Sequence, residues 1–409
     1  MTGDNIPSPG PRMAFWTAML VGALLRIYCV GFTNGTGDMD DWEDHAQQVR
    51  DRGLIGYYHA NSFANHPPFI SEVGSLILSV SRATHIPFRI LFRGLFGLID
   101  VGNALLLFAL LPNNRSRFLA TAFYWLSPAA IILSAYHGNT DTAVAFFLLL
   151  AIWLAAKNRA GFSGGAFGAG LWIKLPGILA FPAFVTFFRT RRFRIIFTLA
   201  AAGIALSTYL PALIQDYKVV WTNVFGYRGL ILQTTGGVPL WGPSVLLFST
   251  IAPSSVWPEK ILQPTLFVLE QSWYLAIAAM FLLMWLRRNR RAPDELCATI
   301  AMAYVILLGF SDYWAFQYFA WSLPLWFFLP WRFSVPAISL TSAYLYSLHW
   351  LFTGSASLQG GWDFGAHPTL PWPVLYLRDL GVAFFIVSAL IFLAMAIRAR
   401  PSSPSSQPT

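Results

Sequence analysis

Residues 13–45 read MAFWTAMLVGALLRIYCVGFTNGTGDMDDWEDH and decide the kind of protein that this chain forms. Residues 13–32 carry Arg26 as their one charge, and about 20 apolar residues span a bilayer. Directly afterwards, five of the 18 acidic residues of the chain fall within 38–44. Carboxylates held at a membrane face are costly unless they serve a function. The stretch predicts a membrane protein with functional acids at one face.

The composition sets the environment of the whole chain. Of its 409 residues 56% are hydrophobic and 11% are charged, too few charges to cover a soluble globule of this size. The net charge of +9 and the pI near 9.7 come from short basic clusters between apolar segments, not from one basic surface. These clusters are topology signals rather than a nucleic-acid site. We therefore expect an all-α polytopic, multi-pass membrane protein with no nucleic-acid partner.

Apolar segments recur along the chain and predict about eleven to thirteen transmembrane helices. They lie at roughly 13–32, 87–111, 118–136, 141–157, 162–173, 175–188, 195–214, 240–252, 264–286, 296–311, 317–331, 334–352 and 374–397. Two of them, 162–173 and 175–188, are short and are separated by Lys174-Leu175-Pro176, which predicts a helix pair that breaks within the membrane.

Basic clusters recur after about every second span, and the positive-inside rule assigns them to the cytoplasm. They are Arg115 and Arg117, Lys157 and Arg159, Arg189 to Arg194, Arg287 to Arg291, Arg332, and Arg398 to Arg400. The remaining loops then face outward and hold most of the unusual polar residues. These loops are 33–86, 136–141, 215–239, 253–263, 311–317 and 353–373.

The pattern predicts one transmembrane catalytic domain, residues 1–400, followed by a disordered cytoplasmic tail at 401–409, rich in Ser and Pro. Within the domain, the first outer loop, 33–86, carries two amphipathic patterns. In the first pattern, Trp42, Ala46 and Val49 recur at helical spacing. The second pattern is an apolar stripe made of Phe69, Val73, Leu76, Ile77 and Val80. The opposite face of that helix carries Glu72, Ser75, Ser79 and Arg82. We expect two interfacial helices lying on the membrane.

Several segments together resemble the GT-C superfamily of integral membrane glycosyltransferases. They are Leu-Leu-Arg at 24–26, Asp-Met-Asp at 38–40, His-Pro-Pro-Phe at 66–69, His-Gly-Asn-Thr-Asp at 137–141, Ile-Lys-Leu-Pro at 173–176, and Phe-Gln-Tyr at 316–318 with Trp321 and Pro324. In their order and their common outward placement they are similar to segments of the polyprenyl-phosphate-sugar-dependent mannosyltransferases and glucosyltransferases of this superfamily. The resemblance extends to about residue 330.

The resemblance implies a reaction and its partners. The enzyme would transfer one sugar, mannose or another hexose or pentose, from a polyprenyl-phosphate donor to a lipid, glycan or protein acceptor, with inversion at the sugar. It would lie among membrane lipids, in the inner membrane if the protein is bacterial, with its active site on the periplasmic or lumenal face. Such an enzyme needs a base near that face and a cation for the leaving phosphate.

The acidic cluster offers the base. A carboxylate of Asp38, Asp40 or Asp41 could take the proton of the acceptor hydroxyl, because crowded acidic neighbours raise the pKa of a carboxyl group. Asp38 and Asp40 match the Asp-x-Asp pattern best. The alternative is that these acids form a solvated face or cap the helix that begins near Trp42.

Cations within apolar sequence are candidates for binding the phosphate. Lys174 is the first of them, and its alternative is an ion pair with Asp141 or Asp100. Arg26 could equally pair with the acidic cluster. Arg228, in a predicted outer loop, is the third candidate cation.

Further polar residues would contact the substrates if the resemblance holds. His137 and Asp141 are four residues apart, so they share a face if a helix begins early enough, and they could bind a sugar or a metal. Gln317 and Tyr318 lie in an aromatic stretch, and His66 precedes two prolines. The alternatives are helix capping at 139–141 and an interfacial aromatic belt.

A metal ion and two other protein classes stay open. Asp-x-Asp with nearby histidines could hold a divalent cation, although no tight metal-ligand spacing is present and no cofactor is assigned. A secondary transporter or lipid flippase would also have broken helices and embedded charges. Against it, the polar features gather at one membrane face and no pairing of two halves is detectable. A membrane O-acyltransferase is the remaining alternative.

Overall fold

The computed structural model describes residues 9–113, 115–226, 240–251, 254–312, 315–365 and 369–398. Within these ranges the chain is helical and has no β-strand, which confirms the predicted all-α class. Its α-helices are α1 Pro9–Phe32, α2 Asp38–Ala60, α3 Pro68–Thr84, α4 Phe88–Leu110, α5 Arg115–Leu126, α6 Pro128–Ile131, α7 Asp141–Ala156, α8 Ala160–Ile173, α9 Phe181–Phe187, α10 Arg191–Val220, α11 Pro243–Val245, α12 Glu259–Glu270, α13 Ser272–Leu286, α14 Pro293–Phe310, α15 Trp331–Thr353 and α16 Trp372–Arg398. The predicted tail 401–409 lies outside the described residues.

Five helices of the described chain are long and apolar enough to cross a membrane. They include Met13–Phe32, Phe88–Leu110 and Arg191–Phe225. Two further pairs of helices, α5 with α6 and α12 with α13, are bent at a short break by 52° and 54°. If each bent pair is one span, the described chain has seven candidate spans. This is fewer than the expected eleven to thirteen, because several apolar segments fold as short or interrupted helices.

Shorter turns account for the difference. Residues 317–331, expected as a span, instead form two consecutive 3-10 turns, Phe316–Trp321 and Leu323–Phe328. Ser322 between them leaves helical geometry, and Pro324 cannot donate a backbone hydrogen bond to continue a helix. Their side chains are largely buried, so the apolar composition reflects packing inside the protein rather than contact with lipid.

The helix break at Lys174 is confirmed. Helix α8 ends at Ile173, and Lys174 has extended backbone angles (φ −160°, ψ 137°). A 3-10 turn, Leu175–Ala180, follows before α9 begins. Pro176 has no backbone N–H, and its ring would clash with the carbonyl of Trp172 if α8 continued, which explains why the chain breaks here. The break turns the Lys174 side chain out of the regular helix.

Helices α2 and α3 occupy the predicted first loop. Trp42, Ala46 and Val49 are buried as their spacing predicts. In α3 the buried residues include Ile70, Gly74 and Leu78, whereas the expected stripe is only partly covered: Phe69, Val73 and Ile77 are half-buried, and Leu76 and Val80 are exposed. The apolar surface left on α3 is what a helix at a membrane interface needs.

Candidate active site

A cavity of about 980 Å³ lies among α2, the α2–α3 loop, the break at Lys174, and the 3-10 turn at Phe316–Trp321. Its lining residues are Asp38, Asp41, Trp42, Asp44, His45, Asn61, Phe63, Asn65, His66, Pro67, Asn139, Lys174, Leu175, Pro176, Ile178, Leu179, Val224, Phe225, Gly226, Trp273, Tyr274, Gln317, Tyr318 and Trp321. Acids, one lysine and several aromatic rings therefore share a single space. Most of the predicted site residues meet in it.

Asp38 is the first residue of α2 and is held from one side. Nε2 of His137 lies 3.2 Å from its Oδ2, and the Asn139 amide donates to the same oxygen at 2.9 Å. Burial acts to raise the pKa of Asp38, but the attraction and hydrogen bond of His137, aided by the charge of Lys174, lower it overall. Asp38 is therefore ionised at neutral pH, and within the described residues its second oxygen, Oδ1, accepts no hydrogen bond and could contact a ligand.

The corner that presents Asp38 is built around Arg93, whose side chain is fully buried in α4. Its guanidinium donates to the carbonyls of Val30, Thr33 and Tyr136. Gly138 packs directly against the Arg93 side chain at φ +62°, where a Cβ would come within 2.2 Å of Cγ. One cation thus joins the end of α1 to the 136–138 turn, and so brings together two segments about 100 residues apart in sequence.

The other acids of the cluster differ in position. Asp41 lines the cavity, and burial, with the charge of Asp38, raises its pKa. Asp44 lines the cavity and is exposed. Asp40 is exposed and is not part of the lining, because it follows the buried Met39 and points to another side of α2. The predicted trio is therefore divided, with Asp38 and Asp41 in the cavity and Asp40 outside it.

Lys174 lines the cavity with its side chain 16% exposed, and its Nζ lies 2.6 Å from Oδ2 of Asp141. Asp141 is buried at the start of α7 and accepts a second hydrogen bond, at Oδ1, from the Trp321 indole. Trp321 in turn stacks on Tyr318 with ring centroids 4.2 Å apart. The ion pair that the sequence offered as the alternative for Lys174 is thus present, and it holds the ammonium group at the cavity wall.

The chain matches the model of glycosyltransferase family 87 over residues 76–311, more than half of its length. It belongs to this family. Family 87 is a GT-C type family of membrane glycosyltransferases, so the predicted superfamily and the predicted transferase activity are confirmed. No curated protein and no solved structure gives a significant match to the chain.

Membership of family 87 implies a sugar donor and a sugar acceptor, and it removes the support for the transporter, flippase and acyltransferase alternatives. The matched range includes His137, Asp141 and Lys174. It does not include the acidic cluster at 38–44 or the turn that carries Gln317 and Tyr318. The roles of those residues rest on the geometry of the cavity.

The remaining predicted residues take different positions in this family 87 enzyme. His66 and Gln317 line the cavity, and Nδ1 of His66 and Oε1 of Gln317 are buried without a hydrogen-bond partner in the described structure. Burial, with the charge of Lys174, lowers the pKa of His66 well below its usual value, so the imidazole is neutral. Arg228 lies outside the described residues.

His137 and Asp141 do not share a helix face. The turn after Tyr136 contains Gly138 at positive φ, and α7 begins only at Asp141. Both side chains are buried behind the lining, where His137 contacts Asp38 and Asp141 contacts Lys174. Their positions suit residues that orient others better than residues that touch a sugar.

Two residues of this site were not assigned a role from the sequence. Arg93 is a charged residue within an apolar segment of the sequence. Such a residue usually has a functional or structural role inside a membrane, so its position could have indicated its importance. The sequence indicates Trp321 only through the resemblance. Its hydrogen bond to Asp141 joins residues 180 positions apart, so no local pattern predicts the contact. Arg26, a candidate cation, instead pairs with Asp100 at 2.6 Å inside the helix bundle.

Among the residues that the structure describes, no group of three or more His, Cys, Asp or Glu side chains is arranged to hold a metal ion. No chemical step below depends on one.

Proposed function

We propose that this family 87 enzyme transfers a single sugar from a polyprenyl-phosphate donor to an acceptor hydroxyl, with Asp38 as general base. The observation that carries the proposal is that Asp38 and Lys174 line the same cavity. An ionised carboxylate and a lysine ammonium facing one space are the two groups that the reaction needs. One takes the proton of the acceptor and the other binds the phosphate of the donor.

The step balances with these two groups alone. The acceptor oxygen attacks the anomeric carbon, its proton passes to Asp38, and the bond between that carbon and the phosphate oxygen breaks. The electron pair of the broken bond stays on the phosphate. A single displacement of this kind inverts the sugar, as the resemblance to GT-C enzymes implies.

Asp38 suits the base better than its neighbours. Its Oδ2 is fixed by His137 and Asn139, so the carboxylate has a defined orientation toward the cavity. Asp41 also lines the cavity, and its raised pKa makes it the second candidate. Asp40 is separated from the cavity by its position on α2.

A lipid-linked donor is favoured over a soluble one by the apolar part of the lining. Ile178, Phe63 and Tyr274 line the cavity and are each at least half exposed on the protein surface. Exposed apolar side chains at a cavity mouth are costly in water, but they suit a polyprenyl chain or the surrounding lipid. A phosphate on such a chain would enter near Lys174.

The outer face of the membrane is the proposed side of the reaction. Most of the lining residues come from loops that the positive-inside rule places opposite the basic clusters. Mannose is the first sugar to test, because 38–40 and 137–141 resemble mannosyltransferase segments. The acceptor is a lipid, a glycan or a protein on that face.

Sugar transfer by the purified protein tests this proposal. The full chain in detergent is incubated with radiolabelled polyprenyl-phosphate mannose, and then with the glucose and pentose analogues, in the presence of membrane extract as acceptor source. We expect wild-type transfer and a loss of about 10²- to 10⁴-fold in Asp38→Asn. The matched control, Asp40→Asn, should stay near wild type because Asp40 is exposed outside the lining.

Two results would contradict the assignment. Full activity in Asp38→Asn with loss in Asp41→Asn would move the base to Asp41. Full activity in both variants would discard the acidic cluster as the source of the base. Folding of each variant is checked by its elution from a sizing column and by its melting temperature.

A further inference from the structure

The ammonium group of Lys174 is already compensated before any ligand enters. Its Nζ lies 2.6 Å from Asp141, whose side chain is 1% exposed. Both Asp141 oxygens are occupied, Oδ2 by Lys174 and Oδ1 by the Trp321 indole. Asp141 therefore cannot reach a substrate directly. It acts on the cavity only through its charge and through the placement of Lys174.

Besides Lys174, the charged residues of the described lining are acids. Asp38, Asp41 and Asp44 line the cavity, and Tyr318 lies beneath the ammonium group at 5.7 Å. The two lining histidines, His45 and His66, have lowered pKa values because of burial. With Lys174 neutralised by Asp141, the described part of the lining has a negative balance at neutral pH.

The proposed reaction changes the charge of the phosphate at this place. The donor is a phosphodiester with a single negative charge. When the sugar leaves, the phosphate becomes a monoester, whose second ionisation has a pKa near 6. Above that pH, a second negative charge therefore appears where the donor phosphate was bound.

We propose that Asp141 is a specificity-determining residue that makes the site favour the singly charged donor over the doubly charged product. This inference rests on the proposed function, because it takes Lys174 as the phosphate-binding cation. Lysine alone attracts a dianion more strongly than a monoanion. A buried carboxylate in contact with that lysine cancels this preference, and the lining acids turn it against the dianion. The polyprenyl-phosphate product is then released rather than retained.

Binding of two matched lipids tests the inference without sugar transfer. The probes are farnesyl phosphate, a monoester, and its methyl phosphodiester, which keeps one charge at all the pH values used. Dissociation constants are measured by calorimetry on the full chain in detergent at pH 5.0 and pH 7.5. The variants are Asp141→Asn, which keeps the size and an acceptor for the Trp321 indole, and Asp51→Asn as control. Asp51 is an exposed acid of α2 outside the cavity lining.

In wild type and Asp51→Asn we expect the diester to bind more tightly than the monoester at pH 7.5, with the two nearly equal at pH 5.0. In Asp141→Asn the ratio at pH 7.5 should shift toward the monoester by about tenfold. Inhibition of transfer by polyprenyl phosphate should become stronger in the same variant. The wild-type pH comparison applies even if Asp141→Asn does not fold.

Other results would overturn the inference. If Asp141→Asn has the same ratio of diester to monoester dissociation constants as wild type, or loses affinity for both probes equally, Asp141 only positions Lys174. Monoester binding that strengthens relative to the diester as the pH of the wild type rises would contradict it as well, and so would failure of the wild type to bind either probe. If the proteins bind the two probes as expected but the wild type transfers no sugar, the proposed reaction is contradicted, whereas the preference of the site for the singly charged phosphate is supported.

Discussion

Oδ2 of Asp38 lies 3.2 Å from Nε2 of His137, an imidazole with no exposure to solvent. Nδ1 of His137 lies 3.1 Å from the Thr36 hydroxyl. Both contacts are satisfied when Nε2 carries the hydrogen and Thr36 donates to Nδ1, a tautomer inferred from the hydrogen-bond network. His137 then donates to Asp38 from Nε2 and accepts from Thr36 at Nδ1. The imidazole acts from behind the carboxylate, so its effect should appear in the behaviour of Asp38.

Replacement of His137 should move the pH dependence of the reaction. His137 lowers the pKa of Asp38, and a base works only when ionised, so activity is lost as the pH falls through that pKa. In His137→Leu the pKa of Asp38 rises, and the acid limb of kcat/KM should move to higher pH. We also expect a loss of roughly ten- to hundredfold at the optimum, because the carboxylate loses one of its two donors.

The control for this prediction is His59→Leu, at an exposed histidine near the end of α2. It should leave the pH profile unchanged. A profile of His137→Leu that falls in height without moving along the pH axis would show that His137 does not set the pKa of Asp38.

Removal of Lys174 should separate substrate binding from stability. Lys174→Ala leaves Asp141 buried without its ion-pair partner, which costs about 3–5 kcal/mol of unfolding free energy. The double variant with Asp141→Asn removes the unpaired charge and should recover most of the melting temperature. Donor KM should increase by roughly ten- to hundredfold in both variants, because neither has the cation.

Melting temperature and donor KM are measured on the same preparations of the two variants. A double variant that regains wild-type KM together with its stability would contradict Lys174 as the phosphate ligand. Lys174→Arg, which keeps the charge, should retain part of the donor affinity.

Local patterns in the sequence predicted the parts of the site that depend on neighbouring residues. The break at Lys174 follows from Pro176 two positions later, and the buried face of α2 follows from the spacing of Trp42, Ala46 and Val49. The Lys174–Asp141 pair agrees with the rule that a cation within apolar sequence needs an anion.

Contacts between distant segments could not be predicted in the same way. Arg93 bridges α1 and the turn at Tyr136 through backbone carbonyls, which carry no residue-specific signal. Hydropathy also could not distinguish the buried 3-10 turns at 316–328 from a membrane span, since both are apolar. Asp40 matched the Asp-x-Asp pattern, but the pattern does not say which side of a helix faces a cavity.

Gly138 should tolerate alanine much less well than Gly53, although both have positive φ, +62° and +70°. A Cβ at Gly53 meets nothing within 4 Å, so Gly53→Ala should cost only the backbone strain of about 1–3 kcal/mol. A Cβ at Gly138 would lie 2.2 Å from Cγ and 3.0 Å from Cα of Arg93. Gly138→Ala should therefore cost about 1–3 kcal/mol more.

The overlap at Gly138 also displaces the turn that carries His137 and Asn139. We expect Gly138→Ala to lose sugar transfer even at temperatures where it stays folded, whereas Gly53→Ala keeps it. Melting temperatures and transfer rates in detergent check both variants. Equal melting temperatures for the two would contradict the close packing of Gly138 against Arg93.

Asp312, just after α14, should make stability depend on pH in the direction opposite to an ion-paired acid. Burial raises its pKa to about 6. The hydrogen bonds that the Ser244 backbone N–H and hydroxyl donate to Oδ1 lower the pKa, but their effect is smaller than that of burial. Oδ2 is buried with no hydrogen-bond partner in the described structure. The folded protein thus binds the proton more tightly than the unfolded chain. The stabilisation is fully present below about pH 4, and it is lost as the pH rises through the folded pKa near 6.

In Asp312→Asn this dependence is removed. A pKa raised by about two units corresponds to about 3 kcal/mol, so the stability of wild type relative to Asp312→Asn should fall by up to that amount between pH 4 and pH 7.5. Melting temperatures of both proteins across this range measure it. Asp294→Asn, at an exposed acid at the other end of α14, should melt in parallel with wild type at every pH. If Asp312→Asn also melts in parallel with wild type, the carboxyl group of Asp312 is not protonated near pH 6 in the folded protein.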